Sequence, residues 1–290
     1  MKNIIEICIA IDIAILGIAY PLLIDKISNI GLKYNSEYLP NVFDSEFPDN
    51  KIFKKVSFFQ FTLILTLLSF TFQIFWLNPF EYFNKNKFIE NSADILVFSL
   101  TLVLTISFFS WVNKIMLYQG KASELLKYLI EKYNVQKEEN QSKTYLLKAI
   151  NEFAIFAIEK QDIHVQTSLV EFYSKLFYSY RENCNTDDGP IYPVDLYNIT
   201  NEIISTSINN DNKKLRALEH RASSGRWLMG GNLGFNKISK STYACIWRNI
   251  VASSNHKNLI SNYWSSASQF FNYNLQRVRP EYDGEIITNQ

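Results

Sequence analysis

From Val56 to Leu77 the chain reads VSFFQFTLILTLLSFTFQIFWL, more than twenty residues without a charge, closed by Asn78-Pro79. A bilayer core about 30 Å thick is crossed by roughly 20 apolar residues in helix. A helix of a water-soluble domain keeps one wet side, and this run is apolar on most sides. The stretch predicts a membrane-embedded protein, and the other segments are read by how they serve it.

Two further runs have the same character. Ile4 to Ile24 has the length of a signal peptide, but its positive n-region is thin and no small-residue cleavage site follows. Glu6 and Asp12 inside it also argue for a retained transmembrane helix. Ala10, Ala14, Gly17 and Pro21 fall on one helical face, a small-residue stripe of the kind that lets helices approach closely in lipid. Cys8, Asp12 and Ala19 fall roughly opposite, so both faces are expected to meet something other than lipid. The third run, Ala93 to Val112, carries Ser99, Thr101, Thr105, Ser107 and Ser110 and ends at Trp111. Trp76, Tyr82, Trp111 and Tyr118 lie near the ends of the last two spans, where amphipathic rings prefer the membrane interface.

Lysines set the expected orientation. The linker from Asp25 to Lys55 carries Lys26, Lys33, Lys51, Lys54 and Lys55, and Lys114, Lys121 and Lys127 follow the third run. Only Lys2, Lys85 and Lys87 fall on the other side. The positive-inside rule then puts the N-terminus outside and the C-terminal part in the cytoplasm. Abundant isoleucine, asparagine and lysine suggest an AT-rich bacterial genome, hence a bacterial inner membrane. A net charge of +1 gives no case for binding a nucleic-acid duplex. Cys8, Cys184 and Cys245 are far apart, match no metal-ligand spacing and read as reduced thiols.

Residues 1–119 thus form the expected transmembrane domain and residues 120–290 a cytosolic α-helical domain, in an all-α chain. Glu124 to Tyr133 reads as a helix that can continue the third span. Tyr145–Ile158, Ile163–Tyr180, Val194–Ile208, Asn212–Leu228, Ser241–Ala252 and Lys257–Leu275 then show helical apolar spacing. They pair into hairpins whose turns end in the N-cap residues Asp162, Asp211 and Asn255, with breaks at Asn183–Pro193 and Gly230–Lys237. The recurrence of roughly 45–50 residues is near that of HEAT-like repeats. Without a shared residue signature, an irregular helical-hairpin bundle is favoured over a short α-solenoid.

No catalytic constellation appears, and the chain is expected not to be an enzyme. His164, His220 and His256 lie on separate helices with no ligand partner at metal spacing. The run Gly230-Gly231-Asn232-Leu233-Gly234 has no preceding strand and no Lys-Ser/Thr, so it reads as a helix stop and turn. No metal or cofactor is expected.

Three features carry functional expectations. A carboxylate at Asp12, midway along a membrane helix, costs roughly 2.5–3.5 kcal/mol on insertion scales and usually faces a bundle interior or water. It either lines an oligomeric pore or bonds to a neighbouring helix. The stripe Thr62, Thr66, Ser69 and Gln73 on the second run lines the same pore or makes interhelical hydrogen bonds, the commoner role of such hydroxyls. In the C-terminal domain acids predominate from Asn151 to Asn210 and bases beyond. Lys213, Arg216 and His220 share one face of the helix read from Asn212, with Arg221 and Arg226 nearby. They offer an anion or acidic-partner site, with Trp227 and Trp247 able to stack on a base. A solvated helix face is the simpler reading.

Together these predict a homo-oligomeric membrane protein, since a few spans per subunit cannot enclose a water path alone. The leading expectation is an ion-conducting or membrane-permeabilising channel or effector, gated by a ligand or partner on its cytosolic helices. The alternative is a non-conducting, membrane-anchored adaptor whose helical domain binds partner proteins.

Overall fold

A computed structural model describes residues 2–15, 17, 21–22, 25–26, 29–46, 64, 67–68, 71, 92–136, 140–184, 189–210, 215–232, 235 and 238–276. The helices among them are α1 (Lys2–Ala14), α2 (Ile30–Tyr34), α3 (Leu39–Glu46), α4 (Ser92–Gln119), α5 (Ala122–Val135) and α6 (Gln141–Glu159). They continue with α7 (Ile163–Glu182), α8 (Val194–Asn209), α9 (Ala217–Ser223), α10 (Met229–Asn232), α11 (Lys240–Ser253) and α12 (Lys257–Gln276). No strand occurs among the described residues. The chain packs as two compact units, Met1–Lys121 and Ala122–Gln290.

In the first unit α1 lies along α4. The buried positions of α4 are Val97, Thr101, Leu104, Trp111, Ile115 and Tyr118, the alternation of fours and threes that keeps one seam facing a partner helix. The matching buried set is Cys8 and Asp12 on α1 and Ile15 just after it. Ala10, Ala14, Gly17 and Pro21 are exposed in the subunit, so the small-residue stripe is not the face that packs on α4. Among the described residues one helix is long and apolar enough to cross a membrane, Asp94–Gln119, 26 residues with hydropathy 2.2. It outruns the expected Ala93–Val112, because nothing between Trp111 and Gln119 breaks a helix. Trp111 and Tyr118 are buried rather than turned outward as interface rings. Most of the second apolar run, with Thr62, Thr66, Ser69 and Gln73, lies outside the described residues, as do Trp76 and Tyr82.

The C-terminal end of α4 is closed by the linker. Lys33 Nζ donates to the carbonyls of Gln119 and Gly120, and the Tyr34 hydroxyl donates to Gly120 O at 2.8 Å. Gln119 Nε2 donates to Lys26 O at 2.6 Å. A cation among the last carbonyls of a helix satisfies orphan acceptors and complements the helix dipole. The linker can do this because α2 turns back sharply. Asn35 takes the left-handed conformation (φ 52), and Ser36 O lies where a Cβ on Gly31 would be only 2.5 Å away, so a side chain there would force the turn open. Phe43 then meets Tyr118 edge to face at 5.0 Å.

The second unit is a set of helical hairpins. Asn140 caps α6 by accepting from Lys143 N at 2.9 Å, and Ser239 caps α11 by accepting from Thr242 N at 3.2 Å. Asp162 caps α7, accepting from His164 N and Val165 N at 3.0 and 3.1 Å. Each such cap is worth about 1 kcal/mol. Leu146, Ile150, Phe153, Ala154 and Ala157 bury one stripe of α6. The hairpins α6/α7, α8/α9 and α11/α12 lie side by side, with α6 on α8 and α8 on α11 in one rank, α7 on α9 and α9 on α12 in the other. Helix α5 packs on both α6 and α7. This is the contact pattern of stacked hairpins, each unit touching its neighbours along one axis.

Four expectations are corrected here. Gly120 and Lys121 interrupt the helix between α4 and α5, so Glu124–Tyr133 is not an unbroken extension of the third span. No single helix fills Asn212–Leu228. Arg216 is extended at the N-cap of α9, and Gly225 at φ 61 ends the helical stretch in a turn. A Cβ on Gly225 would also run into the Met229 side chain. The segment read as a plain turn contains α10, whose Asn232 is buried and donates to Leu228 O at 2.7 Å. Asn255 does not cap α12; that place is taken by His256, whose Nδ1 accepts from Leu259 N at 3.4 Å. Asp211 lies outside the described residues.

Candidate functional site

Asp12 is 1% exposed, held between α1 and α4, and its Oδ2 accepts from Thr101 Oγ1 at 3.3 Å. Its Oδ1 has no hydrogen-bond partner. The carboxylate thus points at a helix of its own subunit. Two other hydroxyls of α4 bond to their own backbone: Ser99 to Ile95 O at 2.7 Å and Thr105 to Thr101 O at 2.8 Å. Such internal bonding satisfies a hydroxyl without help from a neighbouring element.

The basic residues do not converge. Arg216 reaches the turn between α6 and α7, where Nη1 donates to Gln161 O and Nη2 to Gln161 Oε1 at 2.7 Å. Gln161 sits at φ 56, so the guanidinium braces a left-handed turn. Because Arg216 is extended, it and His220 do not form one stripe of a continuous helix, and Lys213 lies outside the described residues. His220 and Arg226 are exposed and Arg221 half-buried. Among the described residues no side-chain bond joins Arg216, His220, Arg221 and Arg226 to one another, the one link being the backbone bond from His220 N to Arg216 O at 2.7 Å, and Trp227, expected as a stacking platform, is buried. Its Nε1 donates to Ser174 Oγ at 3.2 Å, and its ring stacks on Phe177 at 5.7 Å.

Among the described residues a groove of about 1030 Å³ runs between α5 and α7, reaching the start of α6. Tyr133 and Phe172, edge to face at 5.5 Å, form its apolar floor, and Lys143 Nζ lies 5.3 Å over the Tyr133 ring. Glu124, Lys127 and Glu131 line the α5 side, Glu171 and Lys175 the α7 side. Both walls therefore carry both signs, which suits an extended polypeptide with mixed charges better than a lone anion. The sequence alone did not point to this groove, since its walls come from helices separated by the whole of α6.

Behind the groove lies a polar clasp. Tyr173, fully buried next to Phe172, donates to Asn151 Oδ1 at 2.8 Å, and Asn151 Nδ2 donates to Asp195 O at 3.2 Å. Burial first, and the charge of Glu202 second, push the Tyr173 phenol well above its ordinary range, so it stays a donor. Cys245, buried beside Thr200, is held as a thiol in the same way, with burial raising its pKa. Among the described residues no three His, Cys, Asp or Glu side chains come together as a metal set. Compared with family models, curated proteins and solved structures, the chain matches none.

Proposed function

We propose that this chain is a homo-oligomeric, membrane-anchored adaptor. The apolar runs Ile4–Ile24, Val56–Leu77 and α4 hold it in a bacterial inner membrane, with the N-terminus outside. Its cytoplasmic hairpin stack binds a partner polypeptide, without catalysis. The observation that carries this reading is the groove between α5 and α7, aromatic at its floor and of mixed charge at its walls. Concave grooves along stacked hairpins are the usual binding surfaces of such domains. The orientation is favoured by Lys26, Lys33 and Lys121 gathering at the C-terminal end of α4. The test is a photo-crosslinking residue at Ser168, in the full chain and in native membranes. A discrete protein adduct, lost on reversing Glu171→Lys with Lys175→Glu, supports the reading. Labelling of lipid alone, or none, sinks it.

A second reading, an ion-conducting or permeabilising channel formed between subunits, is favoured by the unpartnered Oδ1 of Asp12 deep in an apolar helix pair. There Thr62, Thr66, Ser69 and Gln73 would share the lining, and the stack would act as the gate. Asp12→Asn separates the readings. A channel changes ion selectivity or toxicity, whereas the adaptor conducts in neither form and keeps its partner.

A further inference from the structure

Among the described residues, every hairpin of the stack is covered by a neighbour except at the α11/α12 end. A terminal repeat normally turns a polar side outward for solubility. Here the side of α11 turned away from α8 shows Tyr243, Trp247 (43% exposed) and Val251 (66%), and the matching side of α12 shows Trp264 (58%) and Phe271. Tyr243, Trp247 and Phe271 meet one another with ring centroids 6.0–6.2 Å apart. From Asn258 to Gln276 the chain has no charged residue, and the exposed polar groups on α12 include Ser261, Ser265, Ser268 and Asn272. Aromatic enrichment with charge depletion is the composition of an interface core.

We propose that this end face, Tyr243, Trp247, Val251, Trp264, Ser268 and Phe271, pairs with the same face of a second copy of the chain. The charge pattern selects that occupant. In a two-fold interface each patch meets its own image, so a charged face would repel itself; this one carries no charge along α12. The exposed basic residues of α11 are Lys240 at its first position and Arg248, within electrostatic reach of Cys245 on the α8 side, so the charge-free part of the face is its α12 half. A helix lying on an anionic membrane carries Lys or Arg on its polar side, and α12 has none beyond Lys257 at its first position. Serine and asparagine, each both donor and acceptor, are self-complementary. Confinement to a membrane raises the effective concentration of the face for its copy. The inference rests on the homo-oligomer part of the proposed function and names its surface.

The test uses the full chain in detergent micelles. Ser268→Cys should oxidise to a covalent dimer that neither the parent, with its own three cysteines, nor Ser168→Cys gives. Ser268→Glu and Ser268→Lys should each lose association through this face, and co-expression of the two should restore it. Failure of the mixed pair to recover overturns the proposal and points to another occupant, such as a different protein, a lipid surface or the chain's own last residues. An oligomer indifferent to every Ser268 variant, with no Ser268→Cys cross-link, overturns the face while leaving the homo-oligomer standing. A parent chain that is monomeric throughout overturns both.

Discussion

Helices α4 and α6 are both long and both rich in apolar residues, yet they are built inside out from one another. Helix α6 hides Leu146, Ile150, Phe153 and Ala157 and leaves its charged groups in water. Helix α4 turns Ile95, Phe98, Leu102, Val103, Ile106 and Phe109 outward and buries Thr101 against a carboxylate. Only 22% of its apolar window is buried in the protein. Apolar content alone therefore does not say where a helix's apolar side goes; in α6 it is buried in the fold, and in α4 most of it is exposed on the subunit.

The sharpest way to break this contrast is Phe153→Ala. Phe153 is wholly buried in α6, and truncating such a ring costs about 3–5 kcal/mol. Thermal unfolding followed on the second unit should show a drop of many degrees, with the chain still in the membrane fraction. Next comes a matched pair of arginines. Leu102 in α4 is 50% exposed and Ile163 in the hairpin stack 60% exposed. Leu102→Arg should reduce membrane insertion by about 2.5–3.5 kcal/mol if that exposure is to lipid, while Ile163→Arg should be near neutral. Equal tolerance at both sites, read by membrane fractionation, would erase the distinction between the two units.

Asn151→Ala comes third. It strands the buried Tyr173 hydroxyl, a loss of about 1–3 kcal/mol, and calorimetry should show it partly recovered when Tyr173→Phe is added. The smallest effect is Glu202→Gln. Burial first, then the charges of Glu152 and Asp195, raise the Glu202 pKa. A raised carboxyl pKa means that its ionised form weakens the fold, so stability is greatest below the ordinary carboxylate range and falls as pH rises through the folded value. The glutamine should therefore raise the melting temperature slightly at neutral pH, with no gain in acid.

Much of the second unit could be read from residue spacing. The starts at Ile163 and Val194 and the cap at Asp162 follow from apolar period and a side-chain oxygen at the right place. The long break before α8 follows from Gly189, Pro190 and Pro193. What spacing could not supply came from tertiary placement. Asn212–Leu228 has helical apolar spacing, yet Gly225 takes a conformation that ends the helix, and Arg216 leaves it for Gln161. Trp227 looked available until Phe177 and Ser174 covered it. Asp12 was expected either at a water path or against a neighbouring helix, and one hydrogen bond to Thr101 puts it beside the latter. The groove joins walls that no local pattern connects.

Lys33 on the last carbonyls of α4 has a mechanical consequence. The final turn of that helix is held by a residue of α2, far away in sequence, so fraying of Gln119 and Gly120 and movement of α2 are one event with one free-energy cost. A pull transmitted along α4 must first unhook a lysine, and a tug on α2 loosens the helix end in turn.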